Sequence, residues 1–90
     1  MRRDRMKIML LILEICSEND GVNKTKIVYQ TNLNFKVATL YLDMLIKEEM
    51  IEVKNPGARE KYLTTEKGKE LLVNIKDVYN RMEQYPLDLS

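Results

Sequence analysis

Only four residues, Thr31-Asn32-Leu33-Asn34, separate two stretches of helical periodicity, and no other feature so narrows the folds open to this chain. A connection that short makes the second stretch turn sharply against the first. Its two asparagines suit the task, since Asn tolerates the left-handed backbone that ends a helix and accepts the N–H bonds that start one. Upstream, Asn23 stands where an N-cap belongs, ahead of a short helix Lys24-Thr25-Lys26-Ile27-Val28-Tyr29-Gln30. Downstream, Asn34 begins a further helix. There Phe35, Ala38, Leu42, Leu45 and either Ile46 or Glu49 share one stripe, and Lys36, Val37, Leu40, Asp43 and Lys47 the other, with Tyr41 at the border.

The remaining segments supply supports. Residues 3 to 18 put Met6, Met9, Leu13 and Cys16 at helical spacing, and Leu10 and Ile12 widen the apolar face, so this first helix is expected to be buried on two sides. Glu18-Asn19-Asp20-Gly21 ends it, and Val22 can make a one- or two-residue strand contact. Met50-Ile51-Glu52-Val53-Lys54 and the segment around Lys61-Tyr62-Leu63 alternate with period two, and Asn55-Pro56-Gly57-Ala58-Arg59 between them makes a β-hairpin with a flexible tip. Thr64 or Thr65 then caps a last helix running to about Gln84, where Tyr85-Pro86 stops it. Along it Leu71, Ile75, Val78, Met82 and Tyr85 recur as the seam of a coiled coil, with Leu72 and Tyr79 alongside.

Helix, helix, tight turn, helix, hairpin, helix is the plan of a winged helix-turn-helix, a mainly α (α+β) fold. Residues 1–63 form the core on this reading, 64–85 a capping and dimerisation helix, and 86–90 a short tail. Composition excludes most alternatives. With no His and one Cys among 90 residues there is no imidazole base, no Cys-His or Ser-His pair and no thiolate cluster for zinc, so an enzyme is not expected and neither is a metal or cofactor. Glu14, Glu18 and Asp20 lack the ligand spacing of a calcium loop. Cys16 on an apolar stripe reads as inert packing, and a chain without a disulfide suits a reducing cytoplasm. The basic start and the apolar run Ile8-Met9-Leu10-Leu11-Ile12-Leu13 imitate a signal peptide, but six residues neither span a bilayer nor precede a cleavage site. Neither a membrane nor a small-molecule partner is legible.

The stretches Lys24 to Tyr29, Asn32-Leu33-Asn34-Phe35, Tyr41-Leu42-Asp43-Met44-Leu45 and Met50-Ile51-Glu52 resemble the archaeal winged-helix regulators. Tyr62-Leu63-Thr64-Thr65-Glu66-Lys67-Gly68-Lys69-Glu70-Leu71-Leu72 is similar to the way members of that family leave the wing and enter their final helix. The resemblance covers about seventy residues and implies double-stranded DNA binding, either by transcriptional regulators or by abundant chromatin-type proteins that dimerise through an antiparallel coiled coil of their last helices. This chain departs from the pattern twice. Glu49 stands where the family usually has a glycine, and Val37 and Leu40 are more apolar than a typical reading face.

Charge is segregated although the net charge is only +1. Residues 21 to 42 hold Lys24, Lys26 and Lys36 without an acid, and the wing holds Lys54, Arg59 and Lys61 against Glu60. Lys24, Thr25, Lys26, Asn32 and Asn34 are therefore candidate phosphate contacts, with Lys54, Asn55, Arg59 and Lys61 gripping the backbone or minor groove from the wing. Lys36 and Thr39 are candidates for base edges, and Val37 or Leu40 for thymine methyls. The lysines equally describe a solvated helix face, and Arg2, Arg3 and Arg5 read either as a solvated tail or as an arm along DNA. Tyr29, Tyr41 and Tyr62 are expected as core rings with the hydroxyl at the rim. The expected function is that of a homodimeric winged-helix regulator of double-stranded DNA, with Leu71, Ile75, Val78, Tyr79, Met82 and Tyr85 at the dimer seam. The alternatives are a protein-docking winged helix, in which Val37 and Leu40 form an apolar patch, and a non-specific DNA packer.

Overall fold

The computed structural model describes residues 5–18 and 20–85. Its order is α1 (Arg5–Ile15), α2 (Lys24–Thr31), α3 (Phe35–Lys47), β1 (Ile51–Lys54), β2 (Lys61–Thr64) and α4 (Glu66–Glu83). The two strands pair antiparallel with Ile51 opposite Thr64 and Lys54 opposite Lys61. Val22 adds a third rung on the far side of β2, its N–H donating to Tyr62 O at 3.1 Å and its carbonyl accepting from Tyr62 N at 2.7 Å. Gly21 allows that approach. Its φ of +76° is left-handed, and a Cβ there would come within 2.7 Å of the Leu63 side chain and 2.9 Å of Tyr62 O.

Side chains from α1 (Ile8, Ile12, Leu13, Ile15), α2 (Ile27) and α3 (Ala38, Leu42, Leu45) meet Cys16, Val22, Ile51, Tyr62 and Leu72 in one core. The strand faces alternate as period two requires, Ile51, Tyr62 and Thr64 being buried and Glu52, Lys54 and Lys61 exposed. No helix among the described residues is long and apolar enough to cross a membrane.

Helix α1 is shorter at its C-terminus than its periodicity predicts, ending at Ile15 rather than near residue 18. Ser17 causes this. Its N–H bonds Glu14 O at 3.1 Å, and its hydroxyl donates to Leu13 O at 2.7 Å, which tightens the last turn. The freed carbonyls are taken by β2, Thr64 donating its hydroxyl to Leu13 O and its N–H to Cys16 O. Thr64 is thus a buried tie between α1 and the sheet, and Thr65 is the cap of α4, its Oγ1 accepting from Gly68 N at 3.1 Å. Leu13 and Cys16 of the expected face are buried, together with Ile8, Ile12 and Ile15, and Met9 is half-buried; only Met6 of that face is exposed, which corrects its place in the stripe.

Glu49 is the joint between α3 and the wing. It adopts φ +62°, its N–H bonds Ile46 O at 2.9 Å, and Met50 N bonds Leu45 O at 2.9 Å, which together make a Schellman cap closed by a non-glycine residue. Thr65 clamps it from below, donating its hydroxyl to Glu49 O at 2.7 Å and its N–H to Met50 O at 3.0 Å. Gly68 lies so close under the Met50 carbonyl that no side chain fits there. Sequence position therefore fixes how α4 leaves the hairpin. From that start α4 runs past the core, with Glu14 of α1 paired to Lys76 on the way. A radius of gyration of 14.2 Å exceeds the ~12 Å of a compact domain this size because of that extension.

Candidate nucleic-acid interface

The α2–turn–α3 unit is held by local bonds that the sequence dictates. Asn23 accepts from Lys26 N and Asn34 from Val37 N, both at 2.8 Å. Asn32 ends α2 at φ 59°, its N–H bonding Val28 O at 2.9 Å. Buried Thr31 returns its hydroxyl to Ile27 O at 2.7 Å and accepts from Leu33 N at 3.3 Å, which locks the turn. The positive end of α3 thereby stands at a fixed angle, with Asn32, Asn34, Lys36 and Leu40 exposed around it and Val37 and Thr39 half-buried.

Two aromatic placements differ from expectation. Phe35 is 53% exposed rather than an anchor of α3. It is the first helical residue, its Cβ points back past the helix start, and the core ends one turn later at Ala38. Tyr29 is 85% exposed, because the buried side of α2 is that of Ile27 and Thr31 and Tyr29 projects opposite. Tyr62 is in the core and Tyr41 half-buried, as expected. Position at a helix start was the signal available for Phe35, and the Ile27–Thr31 spacing was the signal for Tyr29.

The lysines of α2 are engaged. Lys24 Nζ sits 5.9 Å from the Tyr62 ring centre, and Lys26 Nζ lies 2.8 Å from Glu18 Oε1 and 2.9 Å from Oε2. A phosphate bound by Lys26 would have to replace that carboxylate. Thr25 is exposed on the outer side of the same helix. Arg2 and Arg3 lie outside the described residues, while Arg5 opens α1.

On the wing, Lys54 faces Lys61 directly across the strands, on the solvent side. Like charges so placed destabilise a hairpin. Of the nearby acids, Glu60 is engaged at the tip, accepting from Gly57 N at 3.0 Å and from the Tyr62 hydroxyl at 3.3 Å, and Glu52 is exposed on the same face of β1 as Lys54. Asn55 and Arg59 both carry left-handed backbone (φ 55°) at the exposed tip, where Ala58 N bonds Asn55 O at 3.1 Å. Burial, and then Glu60, raise the Tyr62 phenol above its ordinary pKa, with Asp43 of α3 adding to the effect. Burial and then Glu18 push the Cys16 thiol up to about 12, so it carries no thiolate chemistry.

The profile of winged helix-turn-helix domains matches residues 2–83. This chain belongs to the winged helix-turn-helix family. Its winged helix is similar to the crystal structure of Sso10a-2, a DNA-binding protein from Sulfolobus solfataricus, with a TM-score of 0.76 and 34% identity over 91% of this chain and 84% of that one. It shares the fold of AF1382 from Archaeoglobus fulgidus, with a TM-score of 0.72 and 20% identity over 89% of this chain and 91% of that one. In sequence it is 32% identical over 85 residues to the uncharacterized protein MJ0287 of Methanocaldococcus jannaschii, spanning 94% of this chain and 82% of the relative.

Proposed function

We propose that this protein binds double-stranded DNA as a homodimer and regulates transcription, with the first turns of α3 in the major groove and the wing on the backbone or adjacent minor groove. The observation that carries this reading is the pair Lys54 and Lys61, held opposite each other on the solvent side of the wing. A like-charge rung that weakens the hairpin is explained by a phosphate that neutralises it. The exposed, amide-capped start of α3 supplies the complementary groove element, and helix N-termini favour phosphate. Similarity to Sso10a-2, a DNA-binding protein, supports the same partner.

The exposed apolar side chains of α4 support dimerisation. Val78 and Met82 are each 56% exposed on the stripe that also carries Tyr85, while Leu71, Ile75 and Tyr79 are half-buried. A paired α4 would cover that stripe. Its 18 residues span ~27 Å, comparable with the ~34 Å between successive major grooves on one face of B-DNA. Duplex binding titrated with salt tests the proposal. If each protomer meets roughly four phosphates, log affinity falls against log salt with a slope of about −7 for the dimer, and Lys36→Glu makes the slope shallower. A slope near zero refutes duplex binding.

A further inference from the structure

The outward side of α3 is poor in groups that read bases by hydrogen bonds. From Phe35 to Tyr41 it contains no Arg, Asn, Gln or acidic side chain, so the bidentate pairings of Arg with guanine and of Asn or Gln with adenine are absent there. Lys36 offers a single ammonium, and Thr39 a half-buried hydroxyl. What these two turns expose instead is apolar: Leu40 is 61% exposed, Val37 lies one turn back beside it, and Lys36 precedes it by four residues on the same side. The strip continues into an open groove against α1, lined by Met9, Tyr41 and Met44, where Arg5 is the only charged lining residue among the described residues. An apolar centre with cations and a helix N-terminus at its margins matches a surface with methyl groups on its floor and phosphates along its walls. The major groove at a pyrimidine bearing a C5 methyl is such a surface.

We infer that Leu40, backed by Val37, reads the C5-methyl groups of pyrimidines in the major groove, so that duplexes containing thymine or 5-methylcytosine are bound in preference to unmethylated ones. The inference rests on duplex binding through α3 as proposed above. Asp43, next along the outward side, repels phosphate and limits insertion to the turns before it.

The test compares an A·T-rich duplex with the same duplex carrying deoxyuridine for thymidine, and a G·C duplex with and without 5-methylcytosine, at one salt concentration. Each is bound by the full chain and by Leu40→Ala, a change at an exposed position. The wild type should bind the methylated member of each pair about fourfold more tightly per methyl contacted. Leu40→Ala should lose that preference and bind both members of each pair equally. Equal affinity of the wild type for both members of each pair overturns the inference and leaves duplex binding standing. A preference that survives in Leu40→Ala also overturns it, and would leave the apolar strip to a protein partner. Failure to bind any duplex at low salt overturns the underlying function instead.

Discussion

Replacing Glu49 by glycine removes a strain built into the joint between α3 and the wing. Glu49 holds φ +62° as the closing residue of the Schellman cap, and its carbonyl and its neighbour's are pinned by Thr65. A left-handed L-residue costs roughly 1–2 kcal/mol, whereas glycine loses about 0.4–1 kcal/mol through its freer unfolded chain. The net gain for Glu49→Gly is therefore about 0.8 kcal/mol at the middle of those ranges, or roughly 3–6 °C in Tm for a domain this size. The Glu49 side chain is exposed and makes no ion pair among the described residues, so little is lost with it. Thermal melts followed by circular dichroism, at one protein concentration because any self-association makes Tm depend on it, make the measurement. Glu49→Ala is the control: it deletes the same carboxylate but keeps the Cβ, and should melt near the wild type. If Ala and Gly stabilise equally, charge rather than backbone conformation is responsible and the reasoning fails.

Three further outcomes are expected. Changing Val78 and Met82 together to Glu should yield a folded monomer by sedimentation equilibrium, and a persisting dimer would put the seam elsewhere. Lys54→Glu should act in opposite directions, raising stability by a few tenths of a kcal/mol through an attractive pair with Lys61 and weakening duplex binding; loss of both would mean the lysine is structural. Cys16 keeps its proton in the folded state up to about pH 12 but loses it above 9.0 when unfolded, so its contribution is complete below pH 9 and falls by about 1.4 kcal/mol per unit between those values. Cys16→Val should flatten that alkaline slope in pH-dependent denaturation, and an identical slope would assign it to other groups.

Much of the fold was legible because its determinants are local. Asn23, Asn32 and Asn34 sit within four residues of the N–H and C=O groups they satisfy or release, and periods of 3.6 and 2 identify helices and strands without knowledge of what lies opposite. The acid-free stretch from 21 to 42 and the cationic wing are likewise properties of the chain alone. Only the tertiary structure decided the rest. Thr64 and Thr65 look interchangeable in sequence, yet one ties α1 to the sheet and the other caps α4, because only the packed arrangement brings the Leu13 and Cys16 carbonyls to β2. The apolar stripe of α3 included Phe35, and where the core stops at Ala38 depends on neighbouring elements the stripe cannot see. The pairing of Lys26 with Glu18 and the facing of Lys54 and Lys61 arise from turn and register. Periodicity says which side of an element is inward; how far along it the interior extends, and which charge meets which, is settled by residues distant in the chain.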